Sequence, residues 1–132
     1  HDYGHFILEN PDDLVNKEKD GKHEDVGYKF LKKYFVKDVV EPIKYHVKAK
    51  RYLARDEKYY QILSKASKIS LKLQGGIMDE KEANEFKNNE FFENSIKLRK
   101  FDEGAKKILP KIKSIKEYKN LLVSKLLWDL TI

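Results

Sequence analysis

The chain has 132 residues, 38% of them charged, and a net charge of +6, which fits a single globular domain. The absence of cysteine excludes disulfides, thiolate metal sites and cysteine nucleophiles. No apolar run reaches the roughly 20 residues that span a bilayer, and the lysines are scattered among acidic residues rather than gathered into a basic patch. The sequence therefore predicts a cytoplasmic protein that binds neither membrane nor nucleic acid.

Helical periodicity runs through nearly the whole chain. Apolar residues at spacings of three and four predict a helix over 24–35. Pro42 suits the first turn of a second helix, which would extend to about residue 53 with Ile43, His46 and Val47 turned inward. No sustained alternation of apolar and polar residues predicts a strand. The sequence therefore predicts an all-α fold.

Capping signals delimit the remaining helices. Ser64 begins a helix that the glycine pair at 75–76 ends. Asp79, with an acidic residue three positions later, starts a helix to about residue 87 in the manner of a capping box. A helix over about 93–107 follows, and a capping box beginning at Ser114 starts a last helix that would run to about residue 130.

Two features lie outside this helical pattern. The polar segment 9–21 is long for a loop inside a compact domain, so we expect it to cover or rim a site. The chain begins at His1 without a methionine, which indicates a processed or truncated protein.

The four histidines are the first candidates for chemistry. The opening string HDYGH places His1, Asp2 and His5 together, whereas His23 and His46 lie on separate predicted helices. Imidazole and carboxylate are ligands of divalent metals, and a carboxylate beside a histidine can bridge two ions. Convergence of these elements would build a metal site inside a helical bundle. Taken singly, a histidine is more often a satisfied core or surface residue than a metal ligand.

Other pairs at helical spacing could bind an anion. Lys50 lies one turn after His46, and Arg99 lies three residues before Asp102, so the members of each pair share a helix face. An exposed lysine and a surface ion pair are the alternatives. A set of polar residues precedes the glycine pair, and capping or packing explains it as well as ligand binding does: Ser64, Ser67, Ser70 and Gln74.

Several blocks occur in a fixed order: HDYGH, then His23, then YHVKAKRYL, LSKASKISLKLQGG and KLRKFDEGAK. Together they resemble the HD-domain superfamily, and within it the phosphonate-degrading di-iron oxygenases, typified by the glycine-forming dioxygenase of 2-amino-1-hydroxyethylphosphonate. The resemblance covers about residues 1–107, with Phe101 where a tryptophan is usual. It implies an HD-domain helical bundle, a single domain over 1–132 that lacks the family's N-terminal helix with its further histidine. We therefore expect poor turnover until that segment is restored.

The resemblance also implies a site. The residues that correspond to metal ligands are His1, Asp2 and Asp102 for one iron, and Asp2, His23 and His46 for the other. Those that correspond to substrate contacts are His5, Lys50, Ser67 and Arg99, with His5 and Lys50 also in catalytic roles and the Ser70 and Gln74 neighbourhood nearby.

In this family an Fe(II)/Fe(III) pair uses O2 to cleave the C–P bond of a small 1-hydroxyphosphonate, which releases phosphate and a carboxylate such as glycine. We therefore expect a di-iron oxygenase that binds a small anionic phosphonate. The substituent on the carbinol carbon and the oligomeric state stay open. The alternative is an HD-type phosphohydrolase, which would activate water on the same two metals. A nucleic-acid-binding module and a copper site at the N-terminal histidine fit the sequence less well.

Overall fold

The computed structural model describes residues 1–8, 22–105 and 114–127. Eight α-helices lie in these ranges: α1 (Tyr3–Leu8), α2 (His23–Leu31), α3 (Lys37–Leu53), α4 (Glu57–Ile62), α5 (Lys65–Leu73), α6 (Glu80–Lys87), α7 (Phe92–Ala105) and α8 (Ile115–Ser124). The described part of the chain contains no strand, and its single β-type pairing is an isolated antiparallel bridge between Phe35 and Leu126. The prediction of an all-α fold is confirmed.

Helix α3 is the centre of the bundle. It packs against both α2 and α7, and α2 in turn packs against α1. Ile43, His46 and Val47 are buried, as the helical spacing predicted. The main apolar cluster extends from the C-terminal half of α3 to α6 and α7 and consists of Ala49, Met78, Ala83, Phe86 and Ile96. Because α3 carries both His46 and part of this cluster, its position is fixed by packing.

The prediction that Pro42 lies in the first turn of its helix is wrong. Helix α3 begins at Lys37, so Pro42 lies inside it. The carbonyl of Val36, in extended conformation, accepts hydrogen bonds from the N–H groups of Val39 and Val40, which starts the helix ahead of the proline. A proline inside a helix loses one backbone hydrogen bond. The buried apolar face of α3 offsets that loss.

Two short helices, α1 and α4, were not predicted, and two helix boundaries differ from the sequence-based expectation. Helix α4 is capped by the Asp56 side chain, which accepts hydrogen bonds from the N–H groups of Lys58 and Tyr59. Helix α2 covers His23–Leu31 rather than 24–35, and α8 ends at Ser124 rather than near residue 130 because the chain then enters the bridge at 126. The predicted end near residue 107 and the loop 9–21 lie outside the described residues.

The predicted caps at Ser64 and Asp79, the capping box at Ser114 and the glycine stop are confirmed. The Glu82 carboxylate, expected to complete a capping box with Asp79, instead pairs with Arg51. The Ser64 hydroxyl accepts from the Ser67 N–H at 3.1 Å, and the Asp79 carboxylate accepts from the Glu82 N–H at 2.8 Å. Gly75 and Gly76 have φ values of 104° and 74°, a left-handed backbone that favours glycine and ends α5. None of the described helices is long and apolar enough to cross a membrane.

Candidate metal centre

Five side chains from four parts of the fold meet at one place. His1 and Asp2 lie just before α1, His23 opens α2, His46 lies in α3 and Asp102 lies in α7. Their ligand atoms form two groups, Asp2 with His23 and His46, and His1 with Asp2 and Asp102, and within each group all these atoms lie within 4.8 Å of one another. Asp2 belongs to both groups. The structure therefore brings together all five residues that the resemblance implied as metal ligands.

A close backbone crossing between α1 and α2 sets the position of the opening segment. Gly4 is buried, and a Cβ atom built on it would lie 1.8 Å from the carbonyl oxygen of His23. Gly27, one helical turn after His23, faces the backbone of Gly4. Two residues without side chains thus let the backbones touch, which places Asp2 beside the start of α2. On the solvent side, the ring of His5 is exposed and stacks on the His23 ring with centroids 3.9 Å apart.

The first group joins a ring nitrogen to two carboxylates. Nε2 of His1 lies 3.0 Å from Oδ2 of Asp2 and 3.3 Å from Oδ1 of Asp102, although it is aligned for a hydrogen bond with neither. The Asp2 carboxylate beside it raises the pKa of His1, and the interaction with His1 lowers the pKa of Asp2 to about 2. A buried nitrogen that faces two carboxylate oxygens is the arrangement a cation would complete.

The second group places two buried imidazoles nitrogen to nitrogen. Nε2 of His23 lies 3.0 Å from Nε2 of His46 and 4.0 Å from Oδ1 of Asp2. Nδ1 of His46 lies 2.5 Å from the carbonyl oxygen of Ile43, which can only accept, so this nitrogen carries a proton and Nε2 presents a lone pair. Burial lowers the pKa of both rings to about 4, so both are neutral at pH 7.

The donor sets fit a pair of divalent ions. In metal sites a ligating histidine commonly donates its other ring N–H to a backbone carbonyl, as His46 does to Ile43. Two histidines and one carboxylate, the composition of the second group, form the facial triad of non-haem iron oxygenases. Oδ2 of Asp2 lies beside His1 and Oδ1 faces His23, so this carboxylate is placed to bridge an ion in the first group and an ion in the second.

A buried ammonium lies next to the second group. Lys50, one turn after His46 on α3, is only 4% exposed. Its Nζ donates to Oγ of Ser70 at 2.6 Å and to Oε1 of Gln74 at 3.1 Å. The guanidinium of Arg51 holds the turn after Gln74 in place, because it donates to the carbonyl of Gly76 at 2.8 Å and pairs with a carboxylate of α6. The YHVKAKRYL and LQGG blocks are thus joined through Lys50 and Arg51.

A buried guanidinium lies next to the first group. Arg99 is 6% exposed, and its Nη1 donates to Oδ2 of Asp102 at 2.8 Å, so the pair predicted at this spacing is present and mostly buried rather than at the surface. Arg99 also contacts Tyr59 and Glu103. Glu103 lies four residues after Arg99, a spacing that could have indicated the pair. Nothing in the sequence pattern indicated Tyr59, which lies 40 residues away.

Ser67 is the predicted site residue with the weakest structural link to the others. It is half-buried in the first turns of α5, and its N–H donates to the cap at Ser64. Its carbonyl oxygen accepts from Oγ of Ser70 at 3.1 Å, and Ser70 contacts Lys50. Ser67 is therefore joined to the ammonium through Ser70.

Three known sequences are similar to most of the chain. It is 42% identical over 120 residues to hydroxymethylphosphonate dioxygenase of Gimesia maris, an alignment that covers 89% of the chain and 60% of that protein. It is 41% identical over 108 residues to the glycine-betaine-forming [1-hydroxy-2-(trimethylamino)ethyl]phosphonate dioxygenase of Leisingera caerulea, covering 81% of the chain and 55% of that protein.

The chain is a relative of phosphonate dioxygenases. The resemblance to phosphonate dioxygenases that the sequence motifs predicted is thus confirmed. An uncharacterized protein of Acanthamoeba polyphaga mimivirus is 38% identical over 127 residues, covering 93% of the chain and 58% of that protein. The chain therefore spans a little over half the length of these relatives. No protein-family model matches it.

Proposed function

We propose that this chain carries the metal centre of a phosphonate dioxygenase, which uses O2 to cleave the C–P bond of a small 1-hydroxyphosphonate to phosphate and a carboxylate. One observation carries the proposal: Asp2 is shared between two groups of metal-ligating side chains. The names of the two relatives support the reaction class. A single histidine or an isolated acidic cluster would not hold two metal ions that share a bridging carboxylate.

Two irons would be held by this set, one by His1, Asp2 and Asp102 and the other by Asp2, His23 and His46. Bound iron would supply the activation of O2 and the electron transfer that C–P cleavage needs. The protein's part is to keep the ligands deprotonated and oriented. Low pKa values leave the rings of His23 and His46 neutral, and the Ile43 carbonyl holds the His46 proton at Nδ1, away from the metal side.

The two buried cations would bind the phosphonate. Lys50 supplies a point charge that Ser70 and Gln74 hold in place, and Arg99 supplies a planar fork beside Asp102. Phosphonate and guanidinium geometries match, and charge-assisted hydrogen bonds of this kind are among the strong ones in proteins. His5 lies at the exposed edge of the centre, where it would contact the substrate as it enters. Ser67 would lie at the far side of Lys50.

The substrate that we propose is a 1-hydroxyphosphonate with a small substituent, such as 2-amino-1-hydroxyethylphosphonate, which would yield glycine. The relatives are named for a substrate without a carbon substituent and for one with a trimethylammonium group. Parallel assays with these three phosphonates would establish which one the chain prefers.

The test is the O2 dependence of phosphate release. The chain is loaded with Fe(II) without oxygen and given hydroxymethylphosphonate, whose conversion to formate and phosphate consumes one O2 and needs no external reductant. We expect slow turnover, in which phosphate appears in equal amount to the O2 consumed, and two irons per chain. Phosphate release from methyl phosphate in the absence of O2 would favour the phosphohydrolase alternative. A chain that binds fewer than two irons and releases no phosphate from any of the three phosphonates would refute the proposal.

A further inference from the structure

Arg99 is held by more than its pair with Asp102. Its Nε donates to the Tyr59 hydroxyl at 3.0 Å, and its Nη2 pairs with Oε1 of Glu103. Nη1 donates to Asp102. A guanidinium carries five N–H groups, and these contacts use one N–H on each of its three nitrogens. At most two N–H groups are left for a substrate oxygen. The rotation of the guanidinium therefore decides where these two groups point.

The Tyr59 hydroxyl closes a ring of contacts. It accepts from Nε of Arg99 and donates to the same Glu103 oxygen that pairs with Nη2, at 3.4 Å. The tyrosine comes from α4, which supplies none of the five candidate metal ligands. Burial raises its pKa, so the hydroxyl keeps its proton at neutral pH and can donate to the carboxylate. Tyr59 and Glu103 thus fix one edge of the fork.

The fixed fork also orients a candidate metal ligand. Oδ2 of Asp102 accepts from Nη1 of Arg99, and its other oxygen, Oδ1, faces Nε2 of His1 at 3.3 Å. A rotation of the guanidinium would therefore turn this carboxylate as well as the donors available to substrate. Neither effect needs any contact between Tyr59 and the substrate.

We propose that Tyr59, with Glu103, is a positioning residue that orients Arg99 for phosphonate binding; this rests on the proposed function. The alternative is a purely structural role, since the Tyr59 ring packs on the apolar cluster of Ala54, Leu63 and Leu71. Tyr59→Phe keeps that ring and removes only the hydroxyl. Tyr60→Phe is the matched control, because Tyr60 is the next residue of α4 and packs on the same cluster.

The experiment measures binding and side-chain order separately. Calorimetry gives the Kd of hydroxymethylphosphonate for the Fe(II)-loaded chain without oxygen, and steady-state assays give KM and kcat. NMR of the full chain without added metal gives the proton-exchange rate of the Arg99 Nε–H. For Tyr59→Phe we expect Kd and KM to rise about tenfold, which is the effect of losing one hydrogen bond to a charged group. We expect a smaller loss in kcat, because Asp102 turns with the guanidinium. The Nε–H should exchange about tenfold faster, and Tyr60→Phe should change none of these quantities.

Each other outcome overturns part of the inference. An unchanged Kd in Tyr59→Phe, in a chain whose Arg99→Met variant loses binding, would overturn the positioning role. A lower kcat at constant KM would also overturn it, because the hydroxyl would then act on the chemical step. If the parent chain binds none of the three phosphonates, the proposed function fails, whereas the exchange rate still reports whether Tyr59 holds Arg99.

Discussion

A methyl group added at Gly4 should lower both the stability of the fold and its metal affinity by more than its small size suggests. In Gly4→Ala the new Cβ would lie 1.8 Å from the His23 carbonyl oxygen, 2.6 Å from its carbonyl carbon and 3.0 Å from the Gly27 nitrogen. These are backbone atoms of α2, which cannot rotate away as a side chain would. To reach the 3.4 Å at which ordinary contact begins, α1 and α2 must separate by about 1.6 Å.

That separation has two expected costs. Overpacking typically destabilises a folded protein by about 1–3 kcal/mol, which for a chain of this size lowers Tm by roughly 5–10 °C. It also moves Asp2 away from His23 and His46. Metal ligands tolerate displacements of only about 0.2 Å, so metal affinity should fall by about a hundredfold or more.

Gly104→Ala is the control with the opposite expected sign. A Cβ at Gly104 meets nothing within 4 Å, and the residue lies inside α7. Alanine in place of a helical glycine should stabilise the chain by about 0.5–1 kcal/mol. Thermal unfolding followed by circular dichroism, with an iron titration of each variant, measures both effects. A Gly4→Ala protein with parental Tm and parental metal affinity would show that the α1–α2 contact is not as close as described.

Three further outcomes are expected. Lys50→Met should raise the Kd of hydroxymethylphosphonate about ten- to a hundredfold while iron binding stays unchanged, whereas Lys48→Met, on the exposed side of α3, should leave calorimetric binding unaltered. Asp2→Asn should reduce bound iron, measured by elemental analysis, from two per chain to one or none, because the shared carboxylate is lost; two tightly held irons would contradict the bridging role. The metal-free chain should lose stability as pH falls from 6.5 to 4, since His23 and His46 take up protons in the unfolded chain but, with pKa values of about 4, not in the folded one. The loss is at most about 3 kcal/mol per histidine, and urea unfolding at pH 7 and pH 4.5 would measure it; equal stability at both pH values would contradict the burial of the two rings.

Local signals in the sequence predicted the local features of the fold. Ser64 and Asp79 cap their helices through hydrogen bonds to residues three positions away. Because both partners lie close together in the sequence, such caps can be predicted from residue type and spacing. Pro42 misled the prediction because a proline is also tolerated inside a helix whose apolar face is buried. Helices α1 and α4 were missed, since six residues each are too few to show a helical period.

The site could be predicted only in part from residue spacing. The i,i+4 relation of His46 and Lys50 and the i,i+3 relation of Arg99 and Asp102 follow from helical geometry, and both pairs share a face as expected. The meeting of Asp2 with His23 was an implication of the family resemblance, because the tertiary contact depends on a backbone crossing that periodicity does not reveal. The Tyr59 contact with Arg99 had no signal of either kind.

The convergence of residues 1, 2 and 102 also bears on how the chain holds together. An ion bound by His1, Asp2 and Asp102 would close a loop of about 100 residues in a protein that has no cysteine. A covalent link closing a loop of that length lowers the entropy of the unfolded chain by an amount worth about 4–5 kcal/mol. An ion that stays bound only in the folded state acts by a different route, mass action, but ties together the same distant segments. The metal centre would thus cross-link the opening segment to α7. A chelator that removes the ion should therefore loosen this contact before the packed helices around α3 unfold.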